Sequence, residues 1–103
     1  MFTGRMWYLR VEWAHEFAEE PVEILSEVGL DGYERRKVER FRDGRLGWAD
    51  EEREVGGTGL GEVPVPPLAE INAQREFVAS RIGGDEFERA WRRALGGRPD
   101  SEP

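Results

Sequence analysis

Hydrophobic and polar side chains alternate along Trp7-Tyr8-Leu9-Arg10-Val11-Glu12-Trp13, with Trp7, Leu9, Val11 and Trp13 on one side. That period of two predicts a half-buried strand. Ala14 to Glu20 is an acidic connector in which Phe17 is the expected plug into the core. Pro21 to Gly29 reads as a second strand with Val22, Ile24, Ser26 and Val28 on one face. Its proline stands at the start, where no ladder donor is needed. Two x-Asp-Gly tripeptides follow twelve residues apart, Leu30-Asp31-Gly32 and Arg42-Asp43-Gly44. Each predicts a three-residue hairpin loop, a type I turn closed by a glycine in the left-handed region. The pair predicts a three-strand meander from about Pro21 to Ala49.

Register follows from those loops. Pairing Gly29 with Tyr33 sets Ile24 opposite Val38 and Val28 opposite Glu34. Pairing Phe41 with Arg45 sets Val38 opposite Trp48 and Arg40 opposite Leu46. Val22, Ile24, Val38, Leu46 and Trp48 then share one apolar face, and a one-residue slip would break that agreement. Arg36 and Arg40 are expected near the margin of this face, with their stems on apolar surface and their heads in water. The opposite face is expected to carry Tyr8, Arg10, Glu12, Glu23, Leu25, Glu27, Tyr33, Arg35, Lys37, Glu39 and Phe41.

From Asp50 to Pro67 the pattern is irregular: an acidic run, then Gly56-Gly57-Thr58-Gly59-Leu60-Gly61, then Pro64-Val65-Pro66-Pro67. A loop this long is uncommon and is often functional. Leu60, Val63 and Val65 are candidate anchors for a short edge strand. Pro66 and Pro67 lead into a short helix over Leu68 to Ala73, since proline suits a first helical turn. Phe77 to Ile82 reads as extended. Phe87, Ala90, Trp91, Ala94 and Leu95 form a helical stripe, with Asp85 as the expected N-cap, Glu88 completing a capping box and Gly96 as the stop. The expected fold class is α+β: a four-stranded, mainly antiparallel β-meander with a C-terminal α-helix packed on one face and a short helix after the Gly/Pro-rich loop. Residues 1–5 are read as a flexible leader, 6–95 as a single domain and 96–103 as a disordered tail. The four tryptophans are expected between helix and sheet.

Composition narrows the class. The 103 residues are 38% hydrophobic and 36% charged, yet they include four Trp, five Phe and two Tyr, which a disordered chain of this charge would lack. No cysteine is present, which excludes disulfides, thiolate metal sites and cysteine nucleophiles. No apolar run approaches the roughly 18 residues of a membrane span, so the expected location is cytoplasmic and no membrane partner is expected. Net charge is −7, which disfavours nucleic acid and favours a basic protein partner. The segment His15 to Val28 holds five glutamates and no Lys or Arg, while the following strand holds Arg35, Arg36, Lys37, Arg40, Arg42 and Arg45. These runs are expected to face each other across one hairpin.

Candidate chemistry is sparse. His15 is the only histidine, and no serine sits in an elbow motif. The acids after Trp48 are consecutive, without the glycine-spaced ligand alternation of a calcium loop. The glycine run lacks the Gly-Lys-Ser/Thr of a phosphate loop. Pro64 to Pro67 has P-x-x-P spacing and is assigned to the start of the short helix. Catalytic, cofactor-binding and metal-binding residues are therefore read as none, with no cofactor expected.

Gly32-Tyr33-Glu34-Arg35-Arg36-Lys37-Val38-Glu39 with Phe41-Arg42-Asp43-Gly44-Arg45-Leu46-Gly47, and Gly56-Gly57-Thr58 with Leu60-Gly61-Glu62-Val63-Pro64-Val65-Pro66-Pro67, resemble the signature of domain-of-unknown-function family 6881. The resemblance runs from about Met6 to Ala94. It implies a small stand-alone bacterial cytosolic protein and carries over no catalytic or binding residue. The function expected is non-catalytic binding of a basic protein, of the immunity or antitoxin kind. The candidate partner-binding acids are Glu16, Glu19, Glu20, Asp50, Glu51, Glu52 and Glu54. A second reading is a ligand or single-stranded nucleic-acid binder that uses Tyr8, Arg10, Tyr33, Arg35, Lys37 and Phe41 as a stacking face with the Gly/Pro-rich loop. A third is an enzyme of unrecognised type. The chain is expected to be a monomer or a homodimer paired at an exposed edge of strand one or strand four.

Overall fold

The computed structural model describes residues 6–96; the expected leader at 1–5 and all but residue 96 of the expected tail at 96–103 lie outside them. Six strands and two helices follow in the order β1 (Trp7–Trp13), β2 (Glu23–Val28), β3 (Glu34–Arg40), β4 (Leu46–Ala49), β5 (Glu54–Val55), α1 (Leu68–Asn72), β6 (Phe77–Ile82) and α2 (Gly84–Gly96). All six strands join one antiparallel sheet in the order β5-β4-β3-β2-β1-β6. The four-stranded expectation is corrected on both flanks. Phe77–Ile82 returns to pair with β1, and Glu54–Val55 adds a two-residue rung beside β4. Strands one and four are therefore interior, and the edges are β5 and β6. Among the described residues no helix is long and apolar enough to cross a membrane.

Both Asp-Gly loops close as three-residue turns. Gly32 and Gly44 have φ of 87° and 92°. Gly29 N–H meets Tyr33 O at 3.0 Å, and Phe41 N–H meets Arg45 O at 2.9 Å. In each loop the aspartate accepts from the amide two residues on, at 3.1 Å for Tyr33 and 3.0 Å for Arg45. Register beyond the first loop differs from expectation. Val28 faces Glu34, but Glu27 faces Arg36, so Arg35 is an extra residue on β3. This bulge moves the rest of β2 by one position, and Leu25 rather than Ile24 lies opposite Val38.

The single apolar face is therefore replaced by two. Leu25, Val38 and Trp48 pack under α2 with Phe87, Ala90, Trp91 and Ala94. Ile24 lies on the other face with Leu9, Val11, Ala79 and Ile71, where α1 and Val65 cover it. The tryptophans divide likewise. Trp48 meets Trp91 edge-on at 5.3 Å under α2, whereas Trp7 packs on the α1 side and Trp13 lies 5.7 Å from Phe77. Phe17 is exposed and stacks on His15 instead of plugging the core. Helix α2 starts one turn-position earlier than expected: Gly83 O accepts from Phe87 N–H, which places Asp85 inside the first turn, where its charge favours the helix dipole.

The glycine-rich segment forms no strand and runs as a strap along β3. Thr58 Oγ1 donates to Glu39 at 2.7 Å, Lys37 Nζ donates to Gly59 O at 3.1 Å, and Gly61 N–H donates to Glu34 at 2.6 Å. Val65 N–H then meets Gly32 O at 2.7 Å. Thr58 is 1% exposed, and a Cβ at Gly47 would collide with its hydroxyl. Glycine at position 47 is thus needed for the strap to lie flat.

Candidate functional site

A cavity of about 610 Å³ opens at the end of the sheet where β1 begins and β4 leaves. Met6, Glu27, Arg35, Arg36, Asp50, Glu51 and Glu52 line it. Its outer wall is the turn between β4 and β5, and that turn is built by one aspartate. Asp50 Oδ1 accepts from the amides of Glu52 at 2.9 Å and Arg53 at 2.8 Å, and Oδ2 accepts from Arg53 Nη2 at 2.9 Å. The Arg53 guanidinium, then the Glu52 amide, hold the Asp50 carboxyl below its ordinary value. Asp50 is therefore spent on the turn, and the next two acids point from it. Glu51 is joined to Arg35 at 3.0 Å, while among the described residues no ion pair or hydrogen bond engages the Glu52 carboxylate.

The inner wall is a buried charge cluster. Arg36 reaches Glu27 with Nε and Nη2, both at 2.7 Å, and its Nη2 also reaches Glu88 on α2 at 2.5 Å. Its guanidinium lies 5.0 Å from the ring centres of both Phe87 and Trp91. Glu27 is only 7% exposed and also accepts from Tyr8 Oη at 3.2 Å. Burial, then the adjoining Glu27 charge, raises the Tyr8 phenol above its ordinary 10.0. The Arg36 hydrogen bond holds Glu88 below its ordinary 4.5. Both arginines of the cavity are thus already matched by carboxylates, Arg35 by Asp31 and Glu51, and Arg36 by Glu27 and Glu88. The expected pairing of the acidic and basic runs is present in Glu27–Arg36 and in Glu23–Arg40 at 3.1 Å.

The expected acidic surface does not come together. Glu16, Glu19 and Glu20 are exposed in the β1–β2 connector, at the end of the strands where β3 finishes. Asp50, Glu51 and Glu52 lie at the other end, beyond Ala49, which faces mid-strand Lys37. Glu54 leaves the cleft and lies against Gly59 of the strap. The stacking face fails more completely. Tyr8 and Arg10 are under α2, with Tyr8 5.4 Å from Phe87 and Arg10 2.8 Å from Glu86. Lys37 is beneath the strap, Phe41 is buried under Arg45 at 4.1 Å, and Arg35 is the bulge. Only Tyr33 remains an exposed ring.

His15 has a local structural role. Its Nδ1 accepts from Phe17 N–H at 2.9 Å, which leaves Nε2 to donate to Pro21 O at 2.7 Å. Among the described residues no group of three or more His, Cys, Asp or Glu is placed to hold a metal ion. Neither histidine nor serine lines the cleft, so what its walls offer chemically is carboxylate charge on an exposed rim. Sequence reasoning missed Glu27, Arg36 and Met6 as cleft residues. Six of the seven β3 residues are charged, with Val38 the one exception, and such a run hides which of them faces inward.

No curated protein and no solved structure matches the chain. A family description does match, over residues 7–96, and on that match the chain belongs to the family described as Domain of unknown function (DUF6881).

Proposed function

We propose that the chain is a non-catalytic protein-binding domain that holds a basic partner at the acidic cleft beside α2. The observation that carries this reading is the rim: the Glu51 side chain is 63% exposed, the Glu52 carboxylate has no ion pair among the described residues, and the cleft's two arginines are already matched by carboxylates. A Lys or Arg side chain entering there meets net negative charge and an apolar contact from Met6. The overall charge of −7 adds long-range attraction, which raises association rates more than it raises affinity. One partner of this chemistry is a basic effector that an immunity or antitoxin protein neutralises. Glu16, Glu19 and Glu20 belong to a separate surface, so the binding determinant is Glu51 and Glu52 with Glu27 behind them.

The test is binding of a lysine- and arginine-rich peptide, followed by fluorescence anisotropy at several salt concentrations. Affinity should fall as salt rises, and Glu52→Lys should weaken binding by about tenfold, or ~1.4 kcal/mol. Glu19→Lys at the far end serves as the control and should change little. Equal loss from both variants would mean only diffuse attraction to an acidic protein, and the cleft would have no special part.

A further inference from the structure

The segment after the strap is constrained at every residue. Pro64, Pro66 and Pro67 have φ fixed by their rings. Val63, Val65 and Pro66 each precede a proline and are driven to extended or polyproline backbone. Pro67 has φ −59° and ψ 149°, which is the polyproline conformation. Polyproline backbone repeats every three residues; continued through Pro64–Pro67, after the bend at Glu62 and Val63, it aligns three ridges, Val65 with Leu68, Val63 with Pro66, and Pro64 with Pro67. The first ridge is the one that faces inward. Val65 and Leu68 pack against the Leu9, Val11, Ile71 and Ala79 core, and Val65 N–H is bound to Gly32 O. The other two ridges face out: Val63 is 70% exposed, and Pro64, Pro66 and Pro67 are all exposed.

We propose that Val63–Pro67 is a preformed polyproline ligand that docks into an aromatic-lined groove of SH3 type on a partner protein. Such grooves take two adjacent ridges, filled by two hydrophobe–proline pairs that each lie across both, and leave the third ridge facing away. Val63-Pro64 and Pro66-Pro67 are those two pairs, with Val65 between them turned into its own domain. A free peptide loses chain entropy on docking, whereas this one is already ordered by its anchor. The surface is distinct from the acidic cleft and stands whether or not the cleft binds anything.

The full chain is titrated into a panel of isolated SH3 domains of both ligand orientations, and the indole signals of their grooves are read by NMR. High ionic strength is used to screen the flanking Glu62 and Glu70. Groove signals should shift in at least one domain, and Val63→Asp and Pro66→Ala should each weaken that binding by about tenfold or more. Both side chains are exposed, so circular dichroism should stay unchanged; Pro64 leans on Gly32 and Pro67 precedes α1, which makes them poorer probes. Absence of groove shifts across the panel, or undiminished binding by both variants, overturns the proposal.

Discussion

Replacing Arg36 by methionine tests whether the buried charge cluster holds α2 on the sheet. The side chain fills similar length but removes two 2.7 Å bonds to Glu27 and the link to Glu88. Glu27 then keeps only the Tyr8 hydroxyl at 3.2 Å while remaining buried. Breaking a buried pair from one side costs about 3–5 kcal/mol. Arg36 retains 21% side-chain exposure and Glu88 is wetter still, which favours the lower end. The lost cation–ring contacts with Phe87 and Trp91, about 0.5–1 kcal/mol each, are partly replaced by thioether–ring contacts. The expected loss is about 3 kcal/mol, or a fall in Tm of about 12–24 °C for a domain this size. Urea titration followed by tryptophan fluorescence measures it, since Trp48 and Trp91 meet beneath α2. Adding Glu27→Leu to Arg36→Met should recover most of the loss, because the penalty lies in the stranded carboxylate. A single variant within about 0.5 kcal/mol of the parent, or a double variant no better than the single, would refute this account.

The same cluster should make stability fall at both ends of the pH scale. Glu88 is depressed below 4.5, so its contribution is present above that value and is lost as pH falls through the folded value; Glu88→Gln should flatten the acid limb of a Tm-against-pH curve. Tyr8 is raised above 10.0, so its contribution is present below that value and is lost as pH rises through the raised one; Tyr8→Phe should flatten the alkaline limb. Gly47→Ala should cost about 1–3 kcal/mol in a urea titration, since its Cβ meets Thr58 Oγ1 and lies 3.1 Å from Gly56 O. Asn72→Ala should remove both bonds from its side-chain amide to Ala79, at 2.7 Å and 3.0 Å, and so bare the middle of the β6 edge. Light scattering should then show association that grows with concentration, and adding Val78→Lys should suppress it.

Local chemistry was readable where one residue type forces one geometry. Asp31-Gly32 and Asp43-Gly44 set both loops, and Phe87, Ala90, Trp91 and Ala94 marked the buried stripe of α2. Leu95, placed on that stripe by spacing, is 46% exposed, although Ala94 beside it is buried. The bulge at Arg35 carried no glycine or proline to announce it, yet it reverses the roles of Ile24 and Leu25 and so converts one core into two. Strand β1 misled for a related reason. Tyr8 and Arg10 look like a solvated face, but their polar ends find Glu27 and Glu86 while their bodies pack under α2. The acidic surface was drawn from proximity in composition, and no local signal tells that Glu20 and Glu51 leave opposite ends of the strands. The cleft itself depends on Asp50, whose turn-building role is an ordinary local preference; only the long-range meeting with Arg35 and Glu27 was hidden.

At one rim of the sheet a lone carboxamide stands in for a missing neighbour: Asn72 presents to Ala79 the donor and acceptor that another strand would bring. At the other rim the last strand is two residues long. Edges finished in this way offer little open ladder for another strand to extend. On the proposed reading a partner meets the molecule at its turns and loops, where single residues can change without disturbing either core.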